Sequence, residues 1–318
     1  MNRDYGRAWR QNITVILERL DKALHWVRLE HGRAATYKRL LREYYEGERS
    51  NEHFFAYHQA MEILSIFDSW ESAAEDFSGI QDKISFVFKK GALLSEDENP
   101  SANSNRPRND GFVYILAGKL LHGGGIQIIS VDGIGNKSNA SQVGHDDLSD
   151  IVLVFQETLI RIECKRPMDS TTLENNAEIA FRQIKNPRLP EAFGIIAVDA
   201  SKIIERPGQY LEASSLDGGS SYLTDELAKI LTPLAVRYNH GSVLGLIGLA
   251  SIPLVATAKS KILKSDGTPF EIENLRTSAV SWVAIKNPKS LKGDLLHELQ
   301  RSFLRTTHGV PQNSLPMI

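Results

Sequence analysis

Asp150-Ile-Val-Leu-Val-Phe-Gln-Glu-Thr-Leu-Ile-Arg-Ile-Glu163-Cys164-Lys165 decides the fold. Two apolar runs, Ile151 to Phe155 and Leu159 to Lys165, flank the polar pair Gln156-Glu157. That pattern predicts two strands joined by a two-residue turn. Phe155 then opposes Thr158, Leu153 opposes Ile160, Ile151 opposes Ile162, and Asp150 opposes Glu163. Side chains alternate between the faces of a strand. Ile151, Leu153, Ile160 and Ile162 therefore share a face suited to burial, and Asp150, Glu163 and Lys165 share the other. A turn of odd length would shift the pairing by one residue and separate the two acids.

Directly opposed side chains have Cβ atoms about 5 Å apart, and like charges placed there repel. A divalent cation removes that conflict, because hard ions such as Mg²⁺ bind one or two carboxylates plus water and phosphate. The Lys165 ammonium, on the same face, is placed to neutralise developing charge or to favour deprotonation of an attacking water. The alternative is a solvated strand end with a surface ion pair, worth roughly 0–1 kcal/mol. Cys164 falls between the acid and the lysine with its side chain on the buried face, which reads as a small core residue rather than a reactive thiol.

Asp150 followed by Glu163-x-Lys165 at the end of an apolar strand resembles the PD-(D/E)xK nuclease superfamily, although Ser149 stands where that pattern has proline. The resemblance implies an α/β fold of restriction-endonuclease type, a mixed sheet flanked by helices. It implies Mg²⁺ or Mn²⁺ held by Asp150 and Glu163, with Lys165 as the third catalytic group. The superfamily order of helix, strand, Asp hairpin, helix and strand maps to residues 108–204. Many members carry an acid on the first helix. Phe112-Val113-Tyr114-Ile115-Leu116 has none, which leaves Asp110 as the nearest substitute and the loop residues Asp146 and Asp147 as alternative ligands. On the helix after the hairpin, Gln183 matches the position of a glutamine or basic residue near the metal; a polar helix edge is the alternative.

The remainder of the chain frames this unit. Its 318 residues suffice for two domains or one large one, and a net charge of −2 excludes a globally basic nucleic-acid binder. One cysteine excludes an internal disulfide. The N-terminus lacks the apolar core of a signal peptide, and the longest apolar run, Val243 to Ala256, is too short and interrupted for a membrane span. A cytoplasmic location is the expectation.

Residues 1–95 are expected to form an all-helical module, 96–110 a linker, 111–260 the nuclease core, and 261–318 a C-terminal extension packed on it. Apolar residues at three- and four-residue steps predict helix over 12–46, broken at Gly32, and again over 51–90. Arg33, Lys38, Arg39 and Arg42 lie near Tyr37, Tyr44 and Tyr45, a mixture that suits either nucleic acid or a solvated amphipathic helix. His53 and His58 are five apart, which is not ligand spacing on a helix. Thr171-x-x-Glu174 reads as a capping box, and Phe193 to Asp199 as a strand buried on both faces. A Gly/Ser-rich loop is expected over 212–221, helices over 223–238 and 291–304, and strands over 243–255 and 281–285. No glycine-rich phosphate loop and no Cys/His zinc spacing occur.

These features give a metal-dependent deoxyribonuclease of prokaryotic restriction or anti-phage defence as the first expectation. Its partners would be DNA and either a second copy or a partner subunit, with no membrane. The alternative is a catalytically inactive protein of the same fold, acting as a nucleic-acid-binding or scaffold subunit.

Overall fold

A computed structural model describes residues 3–48, 50–94, 97–98, 106–138, 149–185, 191–204, 210–258, 260–263, 269–272 and 274–309. Gln156 and Glu157 both take positive φ, 48° and 58°, as a two-residue hairpin turn of type I′ requires. The turn joins β3 (Ile151–Phe155) to β4 (Thr158–Lys165) in the register Phe155↔Thr158, Leu153↔Ile160 and Ile151↔Ile162. Asp150 and Glu163 are next in that register.

Outward from the hairpin, the chain alternates helices and strands. Before it come α1 (Arg3–Trp26), α2 (Arg33–Glu46), α3 (Asn51–Trp70), α4 (Ile80–Lys89), α5 (Arg106–Leu121), β1 (Ile126–Val131) and β2 (Ile134–Gly135). After it come α6 (Ser170–Lys185), β5 (Phe193–Asp199), α7 (Ser201–Ile204), β6 (Leu211–Ala213) and α8 (Leu216–Arg237). The chain continues through β7 (Val243–Ala256), β8 (Ser260–Leu263), β9 (Pro269–Ile272), β10 (Leu275–Lys286) and α9 (Gly293–Gly309). The main sheet has the order β10-β7-β5-β4-β3-β1-β2, with β6 paired to β7. It is mixed: β4, β5 and β7 run parallel, and the pairs at both ends are antiparallel. The chain is thus an α/β protein with a mixed eight-stranded sheet flanked by helices.

Each sheet face closes its own core. Ile151, Leu153, Ile160 and Ile162 pack with α1–α5 and with Leu296, Leu299 and Phe303 of α9. Ile196 and Val198 on the other face pack with Leu173, Ala177, Ala180 and Ile184 of α6 and with Leu223, Leu227 and Leu231 of α8. The N-terminal helices therefore share one hydrophobic core with the sheet. Their break falls at Gly32, whose φ of 119° suits glycine, and a Cβ there would meet Lys89 Cα at 2.8 Å.

Several elements begin or pair elsewhere than the sequence suggests. α5 begins at Arg106, and Glu98 and Arg108 are buried, so this part of the expected linker is core. Charge pairing buries them, which an apolar count does not register. β10 pairs with β7 over its whole length, which makes the start of the expected C-terminal extension an edge of the main sheet. α8 starts at Leu216, inside the expected Gly/Ser loop, because the Ser215 hydroxyl accepts from the Gly218 N–H at 3.0 Å and caps it. The cap of α6 is Asp169 rather than Thr171: its carboxylate accepts from the Thr172 N–H at 2.7 Å, and the Thr172 hydroxyl accepts from the Asp169 N–H at 3.0 Å. Among the described residues, no helix is long and apolar enough to cross a membrane.

Candidate functional site

The hairpin register brings Asp150, Glu163 and Lys165 together. Lys165 Nζ lies 3.4 Å from Glu163 Oε2 and 4.0 Å from Asp150 Oδ2. The Cys164 backbone N–H donates to Asp150 Oδ2 at 2.7 Å, which ties the carboxylate to the end of β4. Glu163 is almost wholly buried, and its carboxyl is pushed up to about 7 by burial and by the Asp150 charge, against the pull of Lys165 and Ser149. Asp150 is also raised, by burial and by Asp132, although Lys165 and the Cys164 N–H oppose this. Two acids share one lysine at long range, so once Glu163 ionises, above about 7, the group carries an uncompensated negative charge.

Two further acids border the pair. Asp132 follows β1, and its N–H donates to the Asp150 carbonyl at 2.7 Å, which extends the row of acids across three adjacent strands. Its φ of 49° begins the tight turn into β2. Its carboxylate accepts from Tyr114 Oη at 3.0 Å and from Lys83 Nζ at 2.6 Å. Asp110 on α5 is pushed up to about 6, by burial first and then by Asp132 and, less, Asp150. Arg106 lies 3.6 Å from it. Asp110 thus stands within the field of Asp132 and Asp150. Asp132 is not among the sequence candidates; the signal for it is the Asp-Gly dipeptide right after an apolar strand, a two-residue turn that carries β1 into β2 on the side away from the hairpin. Asp146 and Asp147 lie outside the described residues.

Gln183 does not join these groups. It is exposed near the C-terminal end of α6. The neighbouring Ile184 carbonyl accepts from Arg161 at 3.0 Å, and Arg161 precedes Lys165 by four residues on β4. α6 runs back to the start of parallel β5, so its last turn lies toward the opposite end of the strands from Lys165.

The donors fit a hard cation in number and kind. Two carboxylates suit Mg²⁺ or Mn²⁺, which fill the rest of the shell with water and substrate oxygen. Asp150 and Glu163 are raised by burial first and by neighbouring acids second, and a divalent ion at the pair would favour their ionised forms against both. Cys164 stays a thiol: burial and the Asp150 charge push it well above its ordinary range.

Other sequence candidates resolve differently. Arg33, Tyr37 and Tyr44 are buried, and Lys38 and Arg39 pair with Asp21 and Glu43, so this face of α2 is an ion-paired amphipathic surface. His58 is buried, bonds Ser278 Oγ at 2.7 Å, and is pushed down to about 3 mainly by that burial. Among the described residues, three donors converge within 4.8 Å at Glu43, Glu48 and His53, on the α2–α3 connection. The chain matches no protein-family model, no curated protein and no solved structure.

Proposed function

We propose that this chain is a metal-dependent nuclease with a restriction-endonuclease-like core, hydrolysing phosphodiester bonds in DNA. The observation that carries the proposal is the meeting of Asp150 and Glu163 across one hairpin with Lys165 within 4.0 Å of both. The order α5, β1, hairpin, α6, β5 supports it, as does Asp110 on the helix that precedes the sheet.

In this reading Asp150 and Glu163 hold Mg²⁺ or Mn²⁺. The ion, when bound, polarises the scissile phosphate and lowers the pKa of its water. Lys165 orients the attacking water and screens charge on the phosphate as it becomes pentacoordinate. The Cys164 N–H fixes the Asp150 carboxylate, and Ser149 steadies Glu163. Lys83 and Arg106, paired with Asp132 and Asp110, would have to leave those acids to reach flanking phosphates. Restriction or anti-phage defence is the role that suits such a sheet joined to N-terminal helices, by analogy from fold to role.

Cleavage of plasmid and linear DNA with Mg²⁺ or Mn²⁺ tests the proposal. Lys165→Ala and Glu163→Ala should each lower the rate by at least about 10²-fold, the lower bound for losing a group that moves a proton or stabilises charge. Circular dichroism checks that both variants fold. Cleavage that survives both changes would overturn the assignment. Metal-independent DNA binding with no cleavage by the parent chain would favour the scaffold alternative.

A further inference from the structure

The second charged cluster lies far along the chain from the hairpin, where α2 hands over to α3. Its geometry follows from two helix caps. Gly47 takes φ 121°, and its N–H bonds the Glu43 and Tyr44 carbonyls at 3.1 and 3.3 Å. The Glu48 N–H then returns to the Glu43 carbonyl at 3.0 Å. This is a Schellman C-cap, and it folds Glu48 back beside Glu43. Ser50 caps α3, with its hydroxyl accepting from the His53 N–H at 3.4 Å. Two local caps thus place one imidazole between two carboxylates.

His53 is 5% exposed, and its Nε2 has no hydrogen-bond partner. Nε2 lies 3.5 Å from Glu43 Oε2 and 4.0 Å from Glu48 Oε2. An imidazolium donating to a carboxylate would close to about 2.7–2.9 Å. Donors bound at about 2.0–2.1 Å to one tetrahedral ion are instead separated by about 3.4 Å. The Glu43 spacing is close to the second value, and the exposed Glu48 carboxylate would close in by about half an ångström on an ion. The other ring nitrogen, Nδ1, is 2.7 Å from Ser50 Oγ. With Nδ1–H donating to that oxygen, Nε2 turns a bare lone pair toward the carboxylates, the usual support of a ligating histidine. The ring is also held against Tyr44, with centroids 6.0 Å apart and planes 16° from parallel. Arg39 takes the other oxygen of Glu43, Oε1, and leaves Oε2 facing His53.

We infer that Glu43, Glu48 and His53 form a binding site for a divalent transition-metal ion of the Zn²⁺ class. One imidazole and two carboxylates suit Zn²⁺, with water in the fourth position. The ion ties the C-cap of α2 to the first turn of α3. The site is independent of the Asp150–Glu163 pair and does not rest on the nuclease proposal.

Equilibrium dialysis of the chelator-treated 318-residue chain against Zn²⁺ tests this, with Co²⁺ absorption reporting four-coordinate geometry. The Glu163→Gln variant serves as the background, which removes one of the two hairpin acids, and the Glu48 comparison is made within it. One ion per chain is expected. Glu48→Gln should weaken binding at least about tenfold, and His53→Gln should abolish it. The Glu48 side chain is 70% exposed, so its change leaves packing intact and remains informative if His53→Gln misfolds. The inference is overturned if the parent chain binds no Zn²⁺, or if Glu48→Gln binds it as tightly as the parent.

Discussion

Two groups of charged residues lie side by side in this molecule, and they balance their charges in opposite ways. Arg166 follows Lys165 directly, yet its guanidinium enters a closed network. It donates to Glu98 Oε1 at 2.9 Å and to Asp199 Oδ2 at 3.1 Å, with a second bond to Glu98. Arg108 lies 3.5 Å from Glu98 and donates to the Leu93 carbonyl at 3.0 Å and to Gln59. Asp199 also accepts from the Ser201 N–H at 3.0 Å. Burial acts against ionised Glu98, but the Arg166 and Arg108 charges outweigh it and hold the carboxyl below its ordinary value. One residue earlier in the chain, burial wins: Asp150 and Glu163 are raised and Lys165 does not compensate. A network that satisfies its charges builds structure. A group that leaves them unsatisfied is stable only through another constraint, and it is where an added cation or substrate gains most.

Removing Glu98 should give the largest effect on folding. Glu98→Ala leaves Arg166 and Arg108 buried with fewer counter-charges, and breaking a buried pair costs about 3–5 kcal/mol. Urea unfolding followed by tryptophan fluorescence reads this directly. A loss comparable to that at an exposed pair such as Arg182–Glu178 would break the distinction, because the network would then carry no structural weight.

The hairpin acids should respond with the opposite sign. Folded Glu163 keeps its proton up to about 7, whereas its ordinary value is 4.5. Between those values the folded chain binds more protons than the unfolded one, so stability falls as pH rises through this window. Below it the penalty is absent. Glu163→Gln removes the charge and should stabilise the metal-free chain above pH 7 by up to about 3 kcal/mol, with no gain at pH 4. Mg²⁺ should shrink the difference by stabilising the parent alone. A variant less stable than the parent at pH 8 without metal would place Glu163 with the satisfied network instead.

The sequence carried more of the hairpin than of its surroundings. The alternation of Ile151, Leu153, Ile160 and Ile162 and the polar pair at 156–157 fix both register and burial, because a two-residue turn admits one pairing. The pair of acids followed from that register. The network did not, since apolar periodicity carries no information on arginines and acids that bury one another. Arg106 to Asp110 reads as solvated for that reason, although Arg108 is 4% exposed. Asp132 was hidden in a turn, and its place beside Asp150 depends on pairing between strands distant in sequence. Gly219 misleads similarly: its composition signals a loop, yet it lies in α8 against β7, where a Cβ would meet the Leu254 side chain at 2.9 Å. The acids of the Glu43 cluster meet His53 through helix caps, not through a repeat on one helix, so histidine spacing gives no sign of it.

The smallest expected effect bears on where the unbalanced group ends. The expectation for Gln183 rests on its order along the chain, but α6 carries it back toward the start of the parallel strands. It is exposed there, beside Ile184, whose carbonyl is engaged by Arg161. A polar surface change away from caps and core alters free energies by about 0.5 kcal/mol or less. Gln183→Ala should therefore leave cleavage and unfolding within about twofold of the parent at saturating Mg²⁺. A loss of cleavage approaching that of Lys165→Ala, with stability unchanged, would extend the reactive group along α6. The boundary drawn by the raised acids would then be too tight, and a substrate strand lying along the helix would be needed to connect the two ends.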